Sequence, residues 1–154
     1  MAFRRSRRRI CGGPSAAETF ISSSVKTEKQ IKDKLKKLGY LDEIIDSTLE
    51  KLKGYGYVDD GDFARRFTTT YKGVKGKKLI KLELKKKGVS DVDAENAVSE
   101  IQSQQETVDK LAEKYLKNKE KDKNNILKCY KYLLSKGFDY DEAKQAVEKY
   151  EIDD

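Results

Sequence analysis

The 154-residue sequence has no histidine, no tryptophan, one proline and two cysteines. Without histidine, Ser-His-Asp and Cys-His catalysis, facial-triad iron and the ordinary catalytic zinc site each lack a required member. Cys11 and Cys129 have no CxxC spacing, so they read as unpaired thiols in a reducing compartment. Charged residues make up 40% of the chain against 36% hydrophobic, and no stretch approaches the ~18 apolar residues that a membrane span needs. No long apolar segment follows the basic start either, so secretion is not expected and a cytoplasmic location is. These absences point away from an enzyme and call for no cofactor and no metal. The length suits about one domain.

What is present is charge, unevenly placed. The net charge of +7 comes from 34 basic and 27 acidic residues. Arg4, Arg5, Arg7, Arg8 and Arg9 crowd the first 14 residues, which hold no acid, so most of the excess belongs to them. Cys11-Gly12-Gly13-Pro14 cannot continue a helix and reads as a break. Residues 1–14 are therefore expected to be a basic flexible extension. An organelle-targeting role for it fits poorly, because it is short and lacks alternating apolar residues.

Sliding the chain along itself gives a period of 49 residues: Gly39, Gly88 and Gly137 fall in register, each four places after a leucine, Leu35, Leu84 or Leu133. A glycine at the end of a helical, lysine-bearing stretch is the residue that takes the left-handed conformation without a side-chain clash. One apolar residue follows each, Tyr40, Val89 or Phe138, and then a second helix whose columns superpose: Ile45, Ala94 and Ala143; Leu49, Val98 and Val147; Leu52, Ile101 and Tyr150. Intervals mostly of three and four, as among Val89, Val92, Ala94, Ala97, Val98 and Ile101, are those of one buried helix face. A further helix precedes each pair, carried by Ala16, Ala17, Phe20 and Ile21, by Phe63, Phe67 and Tyr71, and by Val108, Leu111, Ala112, Tyr115 and Leu116. The expectation is an all-α protein of three tandem three-helix repeats, over 15–57, 58–106 and 107–154. One such unit has too small an apolar face to stand alone, so the repeats should stack into an elongated, curved, solenoid-like domain.

Asp59 and Asp60 precede the Phe63 helix and are placed to cap its free amides, as Ser90 and Asp91 are for a later one. Asp59, Asp60 and Asp62 lack the further ligand oxygens of a calcium loop. Phe67 and Tyr71 share a helix face and read as core; for Tyr55 and Tyr57 core and base-stacking readings both stand.

Gly56-Tyr57-Val58-Asp59-Asp60, then Phe63-Ala64-Arg65-Arg66-Phe67, then Lys72-Gly73-Val74-Lys75-Gly76 and Glu83-Leu84-Lys85-Lys86-Lys87-Gly88-Val89, resemble in order and spacing the central part of the RecX regulatory proteins. The resemblance covers about residues 15–150 and is strongest over 55–89. It implies a modulator, generally an inhibitor, of the RecA recombinase that lies in the groove of the RecA filament on single-stranded DNA, with effects on recombination, repair and the SOS response. It implies no catalytic site. Arg65 and Arg66 are the only arginines after position 9, with lysine where the family often has arginine, and residues 1–14 lie outside its pattern.

Lys72 to Lys87 contains eight lysines and one acid, Glu83, whereas Asp139 to Asp154 contains seven acids and two lysines. A basic middle and an acidic end suit a nucleoprotein surface; a solvated lysine-rich helix face is the plainer reading of the same run. The candidate DNA or filament contacts are Arg65, Arg66, Lys72, Lys75, Lys77, Lys78, Lys85, Lys86 and Lys87, and Asp59, Asp60, Phe63, Ala64 and Gly88 carry capping and the family motif. The expected partners of a monomer are the RecA filament and, secondarily, single-stranded DNA. The alternatives are a sequence-tolerant nucleic-acid-binding helical module without a recombinase partner and a protein-interaction scaffold.

Overall fold

The computed structural model describes Ala17, Phe20, Ile21 and residues 24–151; the expectations for residues 1–14 lie outside them. Among these residues there is no strand. The three described positions at the start are helical and are followed by eight helices: α1 (Glu28–Lys37), α2 (Asp42–Gly54), α3 (Asp60–Tyr71), α4 (Lys77–Lys86), α5 (Asp91–Ser99), α6 (Gln105–Leu116), α7 (Lys123–Ser135) and α8 (Tyr140–Glu148).

They form three tandem three-helix repeats. The first repeat closes on Ala17, Ile21, Ile31, Leu35, Ile45, Leu49 and Leu52. The second closes on Phe63, Ala64, Ile80, Leu84, Ala94 and Val98, and the third on Val108, Ala112, Ile126, Leu133, Ala143 and Val147. Ile45, Ala94 and Ala143 are each fully buried, and Leu49, Val98 and Val147 nearly so. The column that begins with buried Leu52 ends in half-buried Ile101 and Tyr150. Val92 departs from its expected place on the buried face and is 67% exposed. It lies two residues before the inward Ala94, on the far side of a helix turn.

The glycine corners explain why leucine sits four places earlier. Gly39, Gly88 and Gly137 have φ of 88°, 91° and 86°. This left-handed turn aims the next amide back into the helix, so Tyr40, Val89 and Phe138 donate to the carbonyls of Leu35, Leu84 and Leu133 at 3.2, 3.0 and 3.4 Å. The leucine and the following apolar residue meet in the core as they close each corner.

The same corners join the repeats, again in 49-residue register. The Thr27 hydroxyl donates to the Lys87 carbonyl at 2.6 Å, and one period on, the Gly76 amide donates to the Lys136 carbonyl at 2.7 Å. Lys29 lays its aliphatic stem across Gly88, while the Lys78 amide donates to the Gly137 carbonyl at 3.2 Å and Leu79 covers that glycine. Gln104, buried in the α5–α6 link, locks the second joint: its Nε2 donates to the carbonyls of Lys72 and Lys75, both at 3.0 Å, and its Oε1 accepts from the Lys77 amide.

Candidate nucleic-acid interface

Asp59 caps α3 by accepting from the Asp62 amide at 3.0 Å, and Ser90 does the same for α5 with Asp93. Asp60 differs from expectation. It stands in the first turn of α3, where its charge suits the helix dipole, but its carboxylate accepts from the Glu28 amide at 3.0 Å and so caps α1 of the neighbouring repeat. Burial there raises its pKa, with nearby Glu28 and Asp93 adding to the effect against the Glu28 amide bond and Lys53, which lower it. Phe63 and Ala64 are buried core of the second repeat, and Gly88 is the corner under Lys29.

The lysines of 72–87 divide into two sets. Lys85 pairs with Asp91 at 2.8 Å, and that hydrogen bond holds the Asp91 carboxyl below its usual range. Lys81 pairs with Glu95. Lys78 reaches across the second joint to Asp139 at 3.6 Å and lies 4.5 Å over the Tyr140 ring. Arg65 and Arg66 both turn toward Asp62, at 3.7 and 2.8 Å. Lys72 and Lys77 engage Gln104 through their backbones.

Lys75, Lys86 and Lys87 converge. They line a cavity of about 540 Å³ between the first and second repeats, together with Lys29 from α1 and the rings of Phe67 and Tyr71 from α3. Phe67 and Tyr71, with centroids 4.6 Å apart, are half-buried: one side packs on the core, as the sequence suggested, and the other forms the cavity wall. The Lys75 ammonium sits 4.3 Å over the Tyr71 ring and donates to both Glu83 oxygens at 2.8 and 2.9 Å. Lys87 lies 5.8 Å from the Phe67 centroid, and Asp33 supplies the second carboxylate of the lining. Tyr55 and Tyr57, 6.1 Å apart, follow α2 outside this cavity. Sequence reasoning missed Lys29, Gln30 and Asp33. The available signal was register, since Lys29 lies one period before Lys78 in the run that was singled out.

The cavity lining is chemically mixed. It offers ammonium donors for anions, ring walls for a flat group and two carboxylates for hydrogen-bond donors. No group of acids or thiols among the described residues could hold a metal ion. No described helix is long and apolar enough to cross a membrane. Cys129 is a free thiol buried in the third core, where desolvation raises its pKa.

Fold and surface together define an all-α tandem-repeat protein with a basic, aromatic-walled inter-repeat groove. Family models for the first, second and third three-helix domains of RecX match residues 15–52, 59–98 and 102–147. The crystal structure of RecX from Lactobacillus salivarius is 32% identical, with a TM-score of 0.80 over 88% of this chain and 92% of that one. A second crystal structure of regulatory protein RecX gives a TM-score of 0.77 at 26% identity, covering 87% of this chain and 70% of the other. The regulatory protein RecX of Clostridium botulinum (strain Alaska E43) is 36% identical over 140 residues, 87% of this chain and 66% of that protein. That of Bacillus licheniformis is 35% identical over 150 residues, 92% and 57% respectively. The chain belongs to the RecX family of regulatory proteins. It spans somewhat less than two thirds of the length of these curated relatives.

Proposed function

We propose that this protein regulates the RecA recombinase as an inhibitor, lying in the groove of the RecA filament on single-stranded DNA with DNA as a secondary contact. It acts as a cytoplasmic monomer in recombination, repair and the SOS response, without catalysis of its own. The observation that carries the reading is the match to all three RecX domains in order along one chain. The charge layout supports it: a lysine-rich stretch over 72–87 and an acidic end over 139–154 suit a surface that presents both phosphate and protein charge.

The test is a titration of RecA's ATP hydrolysis on single-stranded DNA at two salt concentrations. Hydrolysis is expected to fall at or below one protein per RecA, and unchanged hydrolysis across that range rejects the proposal. A second reading, a sequence-tolerant nucleic-acid module without a recombinase partner, is favoured by the convergence of Lys29, Lys86 and Lys87 on one aromatic-walled cavity. It predicts tight binding to DNA alone that weakens steeply with salt, because lysine meets phosphate as a point charge.

A further inference from the structure

The 49-residue register allows the two inter-repeat grooves to be compared position by position. In α1 and α4 the period puts Ser135 beyond Lys86 and Leu82 beyond Asp33, whereas α3 and α6 superpose at 48 residues, buried Ala64 and Thr68 on buried Ala112 and Leu116, so Phe67 falls on half-buried Tyr115 and Tyr71 on Lys119. The second groove therefore carries Ser135 and Leu82 in place of Lys86 and Asp33 and a lysine in place of Tyr71, and its own rings, Tyr115 and Tyr132, stack on one another at 4.9 Å. The joint differs as well. Where the second joint has Gly76 with its backbone against Gly137, the first has Thr27, whose side chain stands between the repeats. A side chain's width is kept open at the first joint, where Thr27 meets the Lys87 backbone beside the cavity.

The lining restricts the class of ligand. Lys29, Lys86 and Lys87 call for an anion. The walls of Phe67 and Tyr71 call for a flat apolar face beside that anion, since bases stack on such rings irrespective of sequence. Glu83 and Asp33 lie in the same cavity. They can accept hydrogen bonds from the amide or amino edge of a base, which the carboxylates of an acidic peptide do not offer.

We propose that the cavity between the first and second repeats receives one nucleotide unit of a single-stranded nucleic acid, its phosphate on Lys29 and Lys86 and its base against Phe67 and Tyr71. This site rests on the nucleic-acid part of the function proposed above and assigns it to one groove.

The chain has no tryptophan, so Tyr71→Trp introduces a single reporter in the cavity wall, and Tyr55→Trp, exposed and outside the cavity, is its control. An oligothymidylate of about 20 nucleotides is expected to quench the reporter at 71 several-fold more than the one at 55. An abasic strand of equal length should bind with little quenching, and polyglutamate should do neither. The second arm uses Lys29→Gln with Lys86→Gln. Both sites are exposed, and glutamine keeps the carbons that lie across Gly88, so the fold is retained. The double variant should weaken oligothymidylate binding about tenfold and reduce the slope of log K against log salt by roughly 0.7, the loss of one single-strand phosphate contact. Equal quenching by the abasic strand, quenching by polyglutamate, or unchanged binding and salt slope in the double variant overturns the site. RecA hydrolysis separates the readings: quenching without inhibition rejects the regulator alone, and inhibition without quenching rejects this site alone.

Discussion

Asp60 shows how one residue can serve two repeats at a cost. Its carboxylate caps α1 from the start of α3, in a partly buried position that raises its pKa mainly through desolvation. A carboxyl whose pKa is higher folded than unfolded binds its proton more tightly in the folded state. Its stabilising contribution is complete below the unfolded pKa and is lost as pH rises through the folded one. Asp60→Asn keeps an acceptor for the Glu28 amide and removes the charge. The variant should therefore compare most favourably with the parent near neutral pH and lose that advantage as pH falls below about 4, the region of an unperturbed Asp. Urea denaturation at pH 7 and pH 3.5 measures this; a variant that gains relative stability at the lower pH would contradict it. The sequence identified Asp60 as a capping residue but assigned it to the wrong helix. Chain position suggests its own α3, whereas the amide it meets is 32 residues earlier and becomes its neighbour only when the repeats stack.

At the level of the element, the recurring unit is the glycine corner. Gly39 and Gly137 share a left-handed φ, 88° and 86°, but a Cβ on Gly39 would meet open space whereas one on Gly137 would run into the backbone and side chain of Leu79. Gly39→Ala is then expected to cost only the conformational strain, roughly 1–2 kcal/mol. Gly137→Ala adds overpacking of about 1–3 kcal/mol at the joint. Thermal melts of the two variants should rank them in that order, and equal losses would mean that the joint carries no strain of its own. The corners were legible in the sequence because they depend on local chemistry: a glycine, a leucine four residues back and an apolar residue after. The core columns were legible for the same reason, through helical periodicity. The candidate interface was legible only in part. Lys85 and Lys78 look like free cations in the sequence, yet they pair with Asp91 and Asp139, and the latter acid is 61 residues away. Lys29, by contrast, is unremarkable in sequence and reaches the groove only through the stacking of α1 on Gly88.

For the whole molecule, stability depends on how strongly each repeat is coupled to the next, since neighbours in a stack contribute interface terms as well as their own cores. Gln104 is the chief polar contact of the second joint, 4% exposed and bonded through both ends of its amide. Gln104→Ala leaves the Lys77 amide and the Lys72 and Lys75 carbonyls without it, at a cost of about 1–3 kcal/mol. That loss should appear as uncoupling. Amide exchange in α7 should then diverge from that in α2, where the parent protects both; a uniform rise across the chain would rule out a joint-specific role. At the first joint the bond that Gln104 makes to the Lys77 amide is made one period back by Asp60, to the Glu28 amide, and position 55 itself is an exposed tyrosine. The two joints therefore differ in both spacing and fastening. The Thr27 and Gly76 pair makes the consequence concrete. If a stack of repeats is to follow a helical track, its pitch must match that track, and the offset between successive repeats is governed at this position by the presence or absence of one small side chain. Exchanging threonine and glycine here would change the pitch of the molecule and its stability together, since a side chain at 76 runs into the Gly137 backbone and the loss of Thr27 removes its bond to the Lys87 carbonyl, so that fit to a periodic partner cannot drift in evolution independently of stability.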